Sequence, residues 1–470
     1  MRDLIIVIGL VGLIPLILRR PHIGVLVWTW IAILNPHREA FGFSSHLRPN
    51  LLIVLVTLIS FVLASERKVW PGGKIALTFV VFILWTTLAS VLSPDPETSF
   101  EFYMDFVIKM AIHMVILLVV INSQHRLISL VWCFVLSLGY HAVKIAIVTV
   151  KSGFHIGQFT DFGPANTMID DRNHFAVAML MSAPILFFLW KHAANKIMKN
   201  AALFGMFCCF LSVIGSFSRG GMMTMIAMLG VLWIRTKNKI VSGSVLAVGA
   251  VILVTFAPQT FKDRIYSAVE QFQEEDSRFT DDRQLDSSFC LRLAAWRVGW
   301  DMTLDSPLLG NGLRSIQNEK VATPYLQESA CNNNEGYEVR AAHNIYVEVL
   351  SDSGFVGLGL FLIILFGSIL HCSRIAHRTR GKPEMLWAFD LAMMMQVSLI
   401  GYAIGSGLLS FAYYDGYYEI VFMVIVLGRL VQEQLDGVPP RRAVNGRGNG
   451  KRDRRPSVVK DRRPLRPARG

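Results

Sequence analysis

AALFGMFCCFLSVIGSFSRGGMMTMIAMLGVLWI, residues 201–234, decides the fold. Two apolar runs of membrane-like composition flank one arginine, Arg219, and the pair Gly220–Gly221. In lipid a spanning segment must satisfy its own backbone hydrogen bonds, so long apolar runs read as helices. A guanidinium at the bilayer centre costs about 2.5–3.5 kcal/mol on insertion scales. The glycine pair therefore marks a turn between two spanning helices and keeps Arg219 near the membrane surface. The rest of the chain conforms. Of 470 residues, 53% are hydrophobic and 17% charged, and mean hydropathy is +0.45. That composition excludes a soluble globular protein and predicts an all-α polytopic integral membrane protein. The strict alternation of a membrane barrel is absent.

The apolar runs fall at roughly 4–18, 23–34, 50–64, 75–92, 104–121, 127–150, 175–190, 201–217, 220–234, 241–257, 344–371, 386–410 and 417–431, about 12–13 candidate transmembrane helices. The first two are short and flank RRPH, so they read as a broken hairpin as readily as two spans. The first ends at Arg19, Arg20 and Pro21 without a small-residue cleavage pattern, which reads as a retained segment.

Charge orients these helices. Residues 438–470 hold 12 Lys/Arg and 2 Asp/Glu without apolar periodicity, which predicts a disordered tail on the cytoplasmic side. A polybasic segment there suits anionic membrane lipids; nucleic acid is not expected as a partner. The connectors RIAHRTRGK (374–382), RTKNK (235–239), KHAANKIMK (191–199), QHR (124–126) and ERK (66–68) are basic and fall on the same side. SPDPETSFE (93–101), the segment 151–174 and the turn at Arg219 fall outside. So does the longest loop, 258–342, which holds 9 Lys/Arg and 14 Asp/Glu. Within it, FKDRIYSAVEQFQEE (261–275) and LRLAAWRVGWDMTL (291–304) have helical periodicity, and DSPLLGNGL (305–313) is a turn cluster. A loop of this length with helices of its own is usually functional. Cys290 and Cys331 share it, either bridged or as two thiols; Cys133, Cys208 and Cys209 read as core residues.

Three residues on the outer side carry chemistry. Taken singly, Arg219 reads as an interfacial arginine, Arg292 as part of a solvated helix face, and His343 as a structural residue at a helix start. Taken together, two guanidiniums and an imidazole suit a phosphate-bearing group and a proton transfer. No carboxylate cluster of metal-ligand character stands beside them, so no metal or other cofactor is expected. Asp170, Asp171, Arg172, Asn173 and His174, just before a helix, either line the same cleft or cap the helix. Arg297 and Arg340 lie close in sequence to the site and read as assisting it or as surface charge. The cluster FAYYDGYYE (411–419) reads as an interfacial tyrosine belt or a sugar-stacking surface.

The order of these motifs carries a resemblance. SRGG at a helix end, then R-x-x-x-W (Arg292 to Trp296), then P-x-x-G-x-G (Pro307, Gly310, Gly312), then AHNIYVEVLSDSGFVGLGLF resembles the O-antigen ligase superfamily over roughly residues 160–370. The N-terminal part, MRDLIIVIGL…RRPHIGVLVWTWIAILNPHR, is similar to a branch of O-glycosylation ligases associated with exosortase systems. The resemblance implies an inverting, metal-independent transfer of a glycan from undecaprenyl diphosphate to an acceptor hydroxyl. The acceptor is a glycan, lipid or protein, and the active site is on the periplasmic face of the bacterial inner membrane. Arg219 and Arg292 correspond to the arginines that hold the diphosphate, and His343 to the histidine that activates the acceptor. Asp171, Arg172, Asn173, His174, Arg297 and Arg340 stand as substrate-binding candidates. The chain then divides into N-terminal membrane helices (1–160), a ligase-like core (161–371), C-terminal membrane helices (372–437) and the basic tail (438–470). A polysaccharide polymerase using the same donor and a non-catalytic transporter of lipid-linked glycan are the alternatives.

Overall fold

The computed structural model describes residues 2–40, 42–43, 47, 49–65, 68, 70, 72–153, 162–236, 238–240, 243–244, 287–326 and 340–438. Among them no strand occurs. Helices α1 (Arg2–Arg19), α2 (Pro21–Leu34), α3 (Pro49–Leu63) and α4 (Lys74–Val91) come first. Helix α5 (Pro96–Phe102) passes through a π turn, Tyr103–Val107, into α6 (Ile108–Val120). Then come α7 (Gln124–Lys151), α8 (Arg172–His192), α9 (Lys196–Gly215) and α10 (Arg219–Arg235). The long hydrophilic segment supplies α11 (Ser287–Asp305) and α12 (Glu319–Ala322). Helices α13 (Ile345–Thr379), α14 (Leu386–Gly405) and α15 (Asp415–Leu435) complete the set. Among the described residues seven helices are long and apolar enough to cross a membrane, and α2 and α3 are shorter apolar helices. The protein is a multi-pass, all-α membrane protein. Each apolar run read from the sequence overlies a helix except 241–257, which falls almost wholly outside the described residues. The amphipathic segment 261–275, the side chains of Cys290 and Cys331, and the tail from residue 439 also lie outside them.

Helix α8 shows why the bundle has a centre. Phe175 to Leu186 are all buried, so the helix is apolar on every side and needs neighbours all round. It packs against α7, α9, α10 and α14. Helix α15 is likewise buried from Gly416 to Leu427. By contrast α4 and α9 leave Leu77, Leu84, Leu88, Leu203, Phe204 and Phe207 exposed, as lipid-facing surfaces require. Cys208, Cys209 and Cys372 are buried and Cys133 is half-buried, in keeping with core roles.

The bundle has two chemically distinct ends. At one, Asp390 receives Lys191 at 2.8 Å and His192 at 2.6 Å, and Arg378 donates to Gln432 at 2.8 Å. There Arg126 and Arg429 also cap the carbonyl end of α6, donating to Val120, Leu118 and Ile121. At the other, the turn before α5 grips the hydrophilic segment. Ser93 Oγ donates to Asn311 O at 2.7 Å, Leu313 N–H to Ser99 Oγ at 2.7 Å, and Asn318 Nδ2 to Asp95 Oδ2 at 3.0 Å. Lys320 adds an ion pair to Asp95 at 3.4 Å. Basic connectors thus gather at one end and the acidic turn meets the long loop at the other, as the charge pattern predicts.

Helix α13 is broken at Gly354, whose φ of 67° and ψ of −173° no helix accommodates. The break frees carbonyls that the Pro307–Gly312 turn and a tryptophan then use. Asn311 N–H donates to Ser351 O at 2.9 Å, Gly312 N–H to Asp352 O at 3.0 Å, and Trp85 Nε1 to Ser353 O at 2.9 Å. In return Phe355 N–H donates to Pro307 O at 2.8 Å. A Cβ on Gly310 would lie 2.5 Å from Ser353 N, and one on Gly354 would lie 2.2 Å from Leu308 O. The P-x-x-G-x-G motif is therefore a docking turn whose glycines permit backbone-on-backbone contact. The cluster 411–419 departs from both readings given to it. Phe411, Tyr413, Tyr414, Tyr417 and Tyr418 are buried among α13, α14 and α15, because each ring finds an aromatic or backbone partner there.

Candidate active site

Three helix starts and one connecting strap meet at the loop-gripping end. Helix α8 begins with Asp171 as its N-cap, accepting from Asn173 N–H at 2.8 Å and His174 N–H at 3.3 Å. Helix α10 begins with Ser218 as its N-cap, accepting from Gly221 N–H at 2.9 Å. The two starts are tied together, since Ser218 Oγ donates to Asn173 Oδ1 at 2.7 Å. A Cβ on Gly221 would sit 2.6 Å from Ala176 Cβ, so the second glycine of SRGG is what lets α10 lean against α8. Arg219 projects from the first position of α10, exposed.

Helix α13 begins at Asn344, whose Oδ1 accepts from Tyr346 N–H at 2.8 Å. Immediately before it, His343 takes a left-handed conformation with φ of 47°. A non-glycine residue holds such a conformation only when its surroundings impose it. The peptide that joins Ala342 to His343 is held at both its polar atoms. Trp296 Nε1 donates to Ala342 O at 2.7 Å, and His343 N–H donates to Ser410 Oγ at 2.9 Å. This explains R-x-x-x-W: Trp296 fastens α11 to the residue before His343, and Arg292, one turn earlier, comes onto the same face. His343 is half-buried, and its Nδ1 is buried without a hydrogen-bond partner among the described residues.

Electrostatics follow from this crowding. Burial, then the positive charges of Arg292, His174 and Arg340, push the His343 imidazole below its ordinary value, with Asp171 opposing. The ring is therefore neutral at neutral pH, the form a base requires. Burial pushes the Asp171 carboxyl up, but the His174 ring and the Asn173 and His174 amides outweigh it and hold the group well below the usual carboxylate range.

The structure thus brings together Arg292, His343, Arg340, Asp171 and His174, with Arg219 linked through Ser218 and Asn173. Arg172 is the first residue of α8, half-buried. Arg297 stands apart: it is exposed and lies 3.9 Å from Asp301 on the same helix face. Ser410, Glu348 and Asp352 were not singled out from the sequence. Ser410 carries no local signal, whereas the i, i+4 spacing of Glu348 and Asp352 at the start of an apolar helix is a visible one. Among the described residues no group of three His, Cys, Asp or Glu side chains is placed to hold a metal ion.

Residues 204–362, which contain Arg219, Arg292 and His343, match the family described as O-Antigen ligase. Over this stretch the chain carries an O-antigen ligase domain. The ligase domain is one of membrane glycan enzymes of the ligase or polymerase type. Residues 1–194 match a second model, described as a family of unknown function (DUF5935). No curated protein matches the chain. The second match ends in the α8–α9 connector and the ligase match begins inside α9. Asp171, Asn173 and His174 therefore belong to the segment of unknown function, although they stand beside the ligase residues.

Proposed function

We propose that this protein transfers a glycan from undecaprenyl diphosphate to an acceptor hydroxyl at the periplasmic face of the bacterial inner membrane. The observation that carries the proposal is the left-handed His343, clamped by Trp296 and Ser410 with a buried, unpartnered ring nitrogen among cationic side chains. Arg219 and Arg292 hold the diphosphate. The neutral His343 ring takes the proton of the acceptor hydroxyl as its oxygen attacks the anomeric carbon. The bond from that carbon to the diphosphate oxygen breaks, configuration inverts, and the electron pair leaves on the diphosphate, where the guanidiniums stabilise it. Arg219 lies at the membrane surface because the charged head of a lipid-anchored donor lies there too. The basic end of the bundle and the C-terminal tail face the cytoplasm.

Purified full-length protein in nanodiscs, given undecaprenyl-diphosphate glycan and candidate acceptors one at a time with chelator present, tests this. Transfer by wild type, lost in Arg219→Ala, Arg292→Ala and His343→Ala, supports the proposal. A glycan-on-carrier acceptor would mark a polymerase, and a lipid or protein acceptor a ligase. Donor binding that needs the arginines but never leads to transfer would point to a transporter instead.

A further inference from the structure

The connection between α14 and α15 is a short strap, Leu409–Tyr414, and every part of it is tied down. Tyr402 OH donates to Phe411 O at 2.8 Å, Ala412 N–H to Glu348 Oε2 at 3.1 Å, and Tyr413 OH to Asp352 Oδ2 at 3.1 Å. Asp352 in turn accepts from Ser315 N–H at 3.0 Å and Ser315 Oγ at 2.9 Å, so the hydrophilic segment is part of the same lattice. The strap's first polar residue, Ser410, faces both histidines. Its hydroxyl accepts from His343 N–H, and its carbonyl stands 3.0 Å from His174 Nε2.

His174 has unusual partners. Nε2 faces a carbonyl oxygen and Nδ1 faces Asp171 Oδ1 at 3.2 Å. Both are acceptors, and a carboxylate held ionised has no proton to offer. Either ring nitrogen can donate to its partner, and with a proton on each the ring bridges Asp171 and the Ser410 carbonyl at once. The ring also lies edge-on to Phe411, centroids 4.9 Å apart at 64°, which leaves it little freedom. Both its nitrogens are engaged within the protein rather than presented to a ligand.

We propose that His174, from the segment of unknown function, is a positioning residue for His343. Clamped between Asp171 and the Ser410 carbonyl, it fixes the strap whose hydroxyl holds the His343 peptide. This rests on the reading of His343 as the base. The charged groups that act on that ring are Arg292 on α11, Arg340 on its own segment, and Asp171 and His174 at the start of α8. His174 opposes a proton on His343, so without it activity fails at higher pH as the medium is acidified.

The test is steady-state transfer by full-length protein in nanodiscs from about pH 5 to 9, comparing His174→Gln, Ser410→Ala and His343→Ala, with thermal unfolding recorded for each. His174→Gln is expected to lower kcat about 10- to 100-fold with donor KM within about twofold, because misplacement of a base costs rate rather than binding. Its acid limb moves to higher pH. Ser410→Ala keeps the carbonyl contact, so it lowers kcat by about tenfold and leaves the acid limb in place. A raised donor KM at unchanged kcat, or an acid limb that does not move in His174→Gln, overturns the proposal. If His174→Gln does not fold, Ser410→Ala decides, and unchanged kcat there overturns it. Full turnover by His343→Ala would instead overturn the base assignment itself, separately from any effect at His174.

Discussion

Two regions of the active site are built on opposite plans. The rim carries its charge on exposed or half-exposed arginines, Arg219, Arg292 and Arg340, at helix starts and loop ends. The floor, made of the α13 break, the docking turn and the strap, is backbone-on-backbone and buried, with Asp352 and Ser353 almost wholly enclosed. A ligand-holding group must stay accessible and adapt. A group that fixes geometry must be over-determined. The motifs shared with the superfamily serve both plans, and only the structure separates them.

Substitutions can break this contrast, and the largest effect belongs to the floor. Gly354→Ala forces a Cβ against Leu308 O at a φ of 67°. It is expected to leave no folded protein after extraction, checked by size-exclusion profile and thermal unfolding; a normal profile would mean the turn yields easily. Next comes the base. His343→Ala should reduce kcat about 10²- to 10⁴-fold while donor binding persists, measured by transfer and by lipid-donor binding. Asp352→Asn weakens the contacts to Ser315 and Tyr413 and should cost about 1–3 kcal/mol in denaturant unfolding.

The rim gives smaller changes. Burial and the cations around His343 depress its affinity for a proton, so the acid limb of kcat/KM should lie below pH 6.5, the ordinary value for histidine. The sign follows: the base is lost as pH falls through that lowered value. Arg340→Gln removes one of the depressing charges, so the limb should move to higher pH, read from a pH–rate profile. Smallest of all is Arg297→Gln. An exposed pair with Asp301 contributes about 0.2–1 kcal/mol at most, so turnover should change by less than about twofold. A large loss there would move the rim's boundary outward along α11.

Much of this was legible in the sequence, for identifiable reasons. Hydropathy alone places the helices, because lipid permits little else. Charge alone sorts the connectors into two ends. The motif order points to Arg219, Arg292 and His343 because each sits beside a local signal: a glycine pair, a tryptophan one turn on, an asparagine cap. Asp171 was readable as a cap or a cleft residue, and the cap is what its carboxylate makes. The floor was not legible. Gly354 lies inside an unbroken helical pattern, and its break exists only because a turn more than 40 residues earlier docks onto it. Ser410 meets His343 across 67 positions, and nothing local marks it. The tyrosine cluster was misread because a run of aromatics looks alike at a membrane surface and in a packed core.

The clamp on His343 has a consequence for the order of biosynthesis. The carbonyl of Ala342, just before it, is tethered from residue 296 and its own amide from residue 410. The ribosome makes Ser410 only after every residue of the 204–362 match. A nascent chain that already holds the whole ligase domain therefore has no seated base. On the reading proposed above, the site is complete only once the strap that follows α14 has folded back onto His343.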